Sequence, residues 1–221
     1  MRKSKLPVIL GPLAMALCVG ILGLVASSFH PDKAPDVVYV PTEQVIVEEM
    51  LRMAEVASDD LVYDLGCGDG RLVITAARKY GARGVGIDLD PELIRMSRQN
   101  AATEGVTDRV NFIVADIFAS DFHDATAVVL YLLPEVNARL RPLLFKQLKP
   151  GTPVVSHDFD MGEWQPDETR TVRGSKRNHF VYKWIMPANL EGVWELEAPE
   201  HSPPSFKLVL EQRFQEVKGE L

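Results

Sequence analysis

Residues 61–71 read LVYDLGCGDGR, and the order of residue types in this stretch decides the fold. Leu61 to Leu65 is an apolar run of strand length, Gly66, Gly68 and Gly70 follow directly, and Arg71 to Tyr80 continues with helical spacing. A glycine turn between a strand and a helix sits at the ligand edge of an open α/β sheet. Glycine is needed because a Cβ would block a ligand's approach to the backbone, while the turn aims amides and the helix N-terminus at it. Outward from this point strands and helices alternate. Gly84 to Leu89 reads as a strand, and Pro91 to Glu104 as a helix with proline in its first turn. Val110 to Val114 and Ala125 to Leu133 are strands, Glu135 to Leu148 is a helix stopped by Pro150 and Gly151, and Pro153 to Ser156 is a strand. Upstream, Thr42 caps an amphipathic helix running to about residue 57. The alternation predicts a mostly parallel sheet with helices on both faces. Phe180 to Met186, Val193 to Glu197 and Phe206 to Phe214 have no convincing helix between them and predict an antiparallel β end completing or extending the sheet.

Of the 221 residues, 46% are hydrophobic and 25% charged, ordinary for a packed chain. A net charge of -7 without a dense basic run argues against a surface that tracks phosphates, so no nucleic-acid partner is expected. Cys18 lies in the apolar leader and Cys67 in the glycine turn, so no disulfide framework or zinc site can be built, and no metal is expected.

Arg2, Lys3 and Lys5 precede an apolar run from Leu6 to Phe29. At about 24 residues it is long enough to cross a bilayer of roughly 30 Å. A cleaved signal peptide is the rival, with Val25, Ala26 and Ser27 offering a cleavage point, but the run exceeds the usual h-region of about 7 to 15 residues. We therefore expect residues 1–30 to be a single-pass transmembrane anchor and 31–41 a proline-bearing linker. Residues 42–221 then form one domain, β-rich from 160 onward.

The glycine turn departs from the dinucleotide fingerprint G-x-G-x-x-G because Arg71 stands at the last position; G-x-G-x-G preceded by Asp64 holds instead. Asp64 and Asp69 make the loop negative where a dinucleotide would bring phosphates, whereas a sulfonium and an α-ammonium would be attracted. Spacing and charge favour a methionine-derived nucleoside. In GVGIDLDP, residues 84–91, Asp88 ends the second strand and can accept both ribose hydroxyls, with Leu89 beside it. Nicotinamide enzymes place an acid similarly, so Asp88 supports adenosine without choosing the cofactor. Asp116 follows the strand VNFIVA; it can meet an adenine amino group, with Ile117 and Phe118 flanking the ring, or serve as an N-cap.

DLGCGDGR, GVGIDLDP and VADIF are similar to the first, second and third nucleoside-binding motifs of class I S-adenosylmethionine-dependent methyltransferases, over about residues 40 to 160. The resemblance implies a Rossmann-like sheet and S-adenosylmethionine as cofactor. It places Asp64, Gly66, Gly68, Asp69, Gly70, Asp88, Leu89, Asp116 and Ile117 around that cofactor. VYVPT before the first helix and HDFDMGEWQP after the fifth strand resemble flanks of a membrane-anchored protein-lysine methyltransferase family. Mitochondrial members of that family modify the ATP synthase c-ring protein and the adenine nucleotide translocase. Their loop matching Tyr39, Pro41 and Thr42 closes over the methionine end of the cofactor, which makes Tyr39 and Thr42 candidate ligands. Cys67 departs from the serine usual there, and HDFD from a more basic or apolar stretch.

Methyl transfer from a sulfonium is an in-line displacement, so alignment and exclusion of water dominate. A lysine acceptor, with a reference pKa of about 10.4, must first lose its proton. His157 and Asp158, after the fifth strand, and Glu135, beyond the fourth, are candidates for that task. A hydrogen-bonded strand-end histidine and solvated loop acids are the plainer alternatives. YLLPEVN after the fourth strand lacks the N-P-P-Y signature of methylases acting on adenine or glutamine amino groups. Trp164 and Trp184 read as core rings before a substrate platform. Arg170, Arg173, Lys176, Arg177 and His179 form a basic cluster in a loop, open to an acidic partner or lipid headgroups. Three functions compete: methylation of a lysine in a protein near or in the membrane, methylation of a small molecule or lipid, and a non-enzymatic nucleoside-binding or NAD-dependent module. Basic residues ahead of the anchor predict the domain outside, yet the cofactor is cytoplasmic; the chemistry decides for the cytoplasmic side.

Overall fold

The computed structural model describes residues 39–196 and 206–220. The expected anchor and most of the expected linker lie outside them, and among the described residues no helix is long and apolar enough to cross a membrane.

The chain runs α1 (Gln44–Met53), β1 (Leu61–Leu65), α2 (Arg71–Tyr80), β2 (Arg83–Asp88), α3 (Pro91–Thr103), β3 (Val110–Val114), β4 (Ala127–Leu130), α4 (Pro134–Gln147) and β5 (Pro153–His157). It continues with β6 (Glu168–Arg173), β7 (Asn178–Ile185), β8 (Gly192–Leu196), β9 (Phe206–Arg213) and β10 (Glu216–Glu220). Seven strands form one sheet in the order β3-β2-β1-β4-β5-β7-β6. β1 to β5 are parallel, and β7 pairs antiparallel with β5 and β6. Strand order reverses beside β1, so the carboxyl ends of β1 and β4 open a crevice to which β2 and β5 contribute walls.

Side-chain alternation along each strand feeds two cores. Val62, Val129 and Val155 meet α1, α2 and α3 through Met50, Val73 and Ile94. Leu65, Leu130 and Val154 meet α4 through Leu140 and Leu144 on the opposite face. Trp164 and Trp184 are fully buried in this second core, and Trp184 Nε1 donates to the Trp164 carbonyl at 2.8 Å. They are structural rings and offer no platform.

Three expectations are corrected. α1 begins after Glu43 instead of Thr42; the Glu43 carboxylate accepts from Ser175 N at 2.7 Å, while the Thr42 side chain turns inward to His157. Arg170 and Arg173 stand on β6 and not in a loop. The charged alternation ETRTVR hid a strand that hydrogen bonds to β7 hold in place. The β end also divides: β7 and β6 extend the main sheet, while β8, β9 and β10 form a separate three-stranded sheet.

Candidate active site

Gly66, Gly68 and Gly70 all take positive φ, a region that a Cβ disfavours. Their roles then diverge. A Cβ on Gly68 would lie 2.5 Å from Tyr39 Cε2, so this glycine lets the strap of residues 39–42 lie down on the loop. A Cβ on Gly70 would lie 2.6 Å from Phe112 Cε1, so Gly70 lets α2 dock on the sheet. The crevice is a cavity of about 430 Å³. Tyr39, Thr42, Asp64, Gly66, Gly68, Asp69, Asp88, Leu89, Asp116 and Ile117 line it; Gly70 stands behind the lining as the N-cap of α2.

The acids differ in what they already hold. Asp88 accepts from Gly68 N at 2.9 Å and Asp90 N at 3.0 Å, pinning the glycine loop to the end of β2. Asp116 accepts from Phe118 N at 3.0 Å and caps a short 3-10 turn, Ile117–Ala119. Burial alone would raise Asp69, but Arg71 bonds it through Nε at 2.9 Å and Nη2 at 2.6 Å and holds it below the usual carboxylate range. Arg71 Nη1 also donates to the Thr42 carbonyl at 2.6 Å, tying the strap to the loop. Arg71 thus offsets the charge of Asp69, and Asp64 is left as the loop's unpartnered acid. That carboxyl is 1% exposed and neither of its oxygens has a hydrogen-bond partner among the described residues. Burial raises its pKa well above the ordinary value, and Asp88 and Asp69 add to the shift. A buried, unpartnered carboxyl facing a cavity fits a cationic ligand.

On the β4–β5 side the lining includes Tyr131, Leu133 and Phe159, with the two rings stacked at 6.1 Å. His157 is 1% exposed and lies behind Tyr131, ring centroids 4.0 Å apart, outside the lining. Its Nδ1 is 3.3 Å from Thr42 Oγ1 and its Nε2 is 2.8 Å from His179 Nδ1. Asp158 Oδ2 completes a triangle, 3.2 Å from His157 Nε2 and 3.0 Å from His179 Nδ1. Two imidazoles and a carboxylate are metal-ligand types, but the Arg177 guanidinium already sits on that same oxygen. Asp158 also lies outside the lining, and its carboxylate accepts from Phe180 N at 3.0 Å. Burial holds His157 neutral, its pKa lowered to about 4. Glu135 is exposed in the first turn of α4 and does not line the cavity.

Residues 64–168 match the family model described as the ANTKMT methyltransferase domain. A protein-lysine N-methyltransferase of Saccharolobus islandicus is 44% identical over 153 residues, 69% of this chain and 95% of that protein. The chain belongs to the class I S-adenosylmethionine-dependent methyltransferases. A lysine N-methyltransferase of Rattus norvegicus, named for its action on the c-ring protein of ATP synthase, is 35% identical over 131 residues, 59% of this chain and 60% of the rat protein. A structure named RNA methyltransferase from Salinibacter ruber, in complex with S-adenosyl-L-homocysteine, is 53% identical with a TM-score of 0.64, covering 73% of this chain and 97% of that one. The methyltransferase is thus an enzyme with S-adenosylmethionine as cofactor, and its seven-stranded sheet is the Rossmann-like one the motifs implied.

When bound, the cofactor supplies an electrophilic methyl group on a sulfonium. The residues of this methyltransferase that would hold it are Asp88 and Asp116 toward adenosine and Asp64 with the glycine loop toward its charged part. Sequence reasoning missed Arg71 as the strap's anchor and Tyr131 and Phe159 as the opposite wall. Arg71 was legible only as the residue that breaks the dinucleotide fingerprint. Tyr131 and Phe159 are apolar neighbours in YLL and HDF with nothing to mark them until β4 and β5 lie side by side.

Proposed function

We propose that the methyltransferase transfers methyl groups to a lysine amine of a protein substrate near or in a membrane. The observation that carries this reading is the form of the wall opposite the adenosine acids: Tyr131, Leu133 and Phe159, apolar and aromatic. Such a wall suits an aliphatic stem carrying an amine and favours the neutral, attacking form over the ammonium. The relatives named for lysine methylation support it. A nucleic-acid acceptor, suggested by the name of the Salinibacter ruber structure, is disfavoured by the net charge of -7 and by the pairing of basic residues with acids. Arg170 pairs with Glu168 and Glu49, and Arg177 with Asp158.

The apolar run from Leu6 to Phe29 supports a membrane tether, which would raise the effective concentration of a membrane-bound substrate. The catalytic domain then faces the compartment that holds S-adenosylmethionine, a placement tested by a reporter fused after Leu221. Mass spectrometry of membrane proteins from a deletion strain should show a lost methyl-lysine mark. Transfer of labelled methyl into an organic extract and not into protein would refute the reading in favour of a lipid or small-molecule acceptor.

A further inference from the structure

We propose that Thr42, His157 and His179 form a proton path from the acceptor side of the cavity to solvent. The path rests on the amine-acceptor reading, since a lysine near neutral pH is an ammonium with no lone pair to attack until it loses a proton.

Three observations carry it. Thr42 lines the cavity and its Oγ1 lies 3.3 Å from His157 Nδ1, so one residue borders both the cavity and a buried imidazole. The two imidazoles meet nitrogen to nitrogen at 2.8 Å, a contact that requires one proton between them and no more, because two N–H groups cannot face each other at that distance. Beyond, His179 Nε2 lies 3.8 Å from Glu43 Oε1, and Glu43 reaches solvent at the start of α1. A purely structural histidine pair needs no opening at either end. This one has a cavity-lining threonine at one end and a solvent-facing carboxylate at the other.

The transfers balance. The acceptor ammonium gives one N–H proton to Thr42 Oγ1 as Thr42 passes its own hydroxyl proton to His157 Nδ1. His157 yields its Nε2 proton to His179 Nδ1, and His179 releases its Nε2 proton toward Glu43 and water. The amine is left neutral, with its lone pair free to take the methyl group. His157 and His179 never touch the acceptor and act through Thr42 as positioning residues. The charged and titratable groups facing the pair are Asp158 and Arg177 from the β5 end and the β6–β7 turn, Glu43 and Lys176 around His179, and Tyr131 against the His157 ring. Asp158, tied to Arg177 and to Phe180 N, stays anionic and stabilises whichever imidazole transiently carries two protons. The burial that keeps His157 neutral makes it a conductor and not a store of the proton.

The test uses the full chain, methyl-labelled S-adenosylmethionine, and membrane protein from a strain lacking this chain as acceptor. His179→Gln should keep the affinity for S-adenosylhomocysteine, measured by calorimetry, and lose about a hundredfold in turnover at pH 7. The deficit should shrink as pH approaches about 10, where a lysine ammonium loses its proton unaided. Thr42→Val should reproduce that profile and Thr42→Ser should restore it, which decides the matter if His179→Gln does not fold. Wild-type turnover in Thr42→Val and His179→Gln, a loss that is the same at every pH, or a stoichiometric divalent metal displaced by His179→Gln would overturn the path. No transfer to any protein by the wild-type chain would instead overturn the lysine reading, and the path with it.

Discussion

Gly68→Ala and Gly70→Ala look equivalent in sequence, and the structure separates them. Both positions have positive φ, 53° and 79°, so each alanine costs about 1–2 kcal/mol in backbone strain. At Gly70 the new methyl also meets Phe112 Cε1 at 2.6 Å and Ser97 Cβ at 2.8 Å, both buried. Neither can move aside without shifting α3 or β3, which adds overpacking of about 1–3 kcal/mol. Gly70→Ala should therefore lose about 2–5 kcal/mol, or roughly 4–20 °C in Tm for a domain of this size. At Gly68 the methyl meets the Tyr39 ring, which is 38% exposed and can swing outward with the strap. Gly68→Ala should thus lose only the strain term of about 1–2 kcal/mol, while affinity for S-adenosylhomocysteine falls because the strap no longer closes. Denaturant melts paired with calorimetry read both quantities. A Gly70→Ala variant that keeps wild-type stability but loses ligand would refute the assignment of Gly70 to packing.

Asp64 should set a pH dependence of the ligand-free protein. Its folded pKa lies above the unfolded value of about 3.9, so the folded state holds the proton more tightly. Stability is then greatest below that value and falls as pH rises from there through the folded pKa. Asp64→Asn should flatten this fall in urea melts, and calorimetry should show a larger loss of affinity for cationic S-adenosylmethionine than for neutral S-adenosylhomocysteine. Equal losses for both would show that Asp64 does not face the charge. Tyr131→Ala should leave S-adenosylhomocysteine binding within a few-fold of wild type and reduce methyl transfer at least about tenfold, a step of about 1.4 kcal/mol in the barrier. Loss of ligand affinity to the same extent would move Tyr131 to the cofactor side. Arg71→Met should weaken ligand binding by freeing the strap from the Thr42 carbonyl, with faster proteolysis before residue 44; an unchanged cleavage rate would show that other contacts hold the strap.

Much of the fold was legible because each signal was local. Arg71 to Tyr80 and Val110 to Val114 have the same bounds in sequence and in structure, since apolar periodicity and flanking glycine or proline act within a few residues. β6 was illegible because its residues alternate charge with threonine and valine, and only pairing with β7 makes that pattern a strand. The division of the C-terminal strands between two sheets was illegible too, since strand patterning gives no partner.

The sequence by itself determined the glycine turn, the acids at the ends of three successive strands, and hence the class of ligand, because these depend on spacing along one chain. Only the tertiary structure decided that Arg71 neutralises Asp69 and leaves Asp64 as the cavity's buried acid. It alone brought His157 to His179, 22 residues on, and to Thr42, 115 residues back. Such contacts are set by which strands become neighbours, and strand order is a property of the packed sheet that no local pattern encodes.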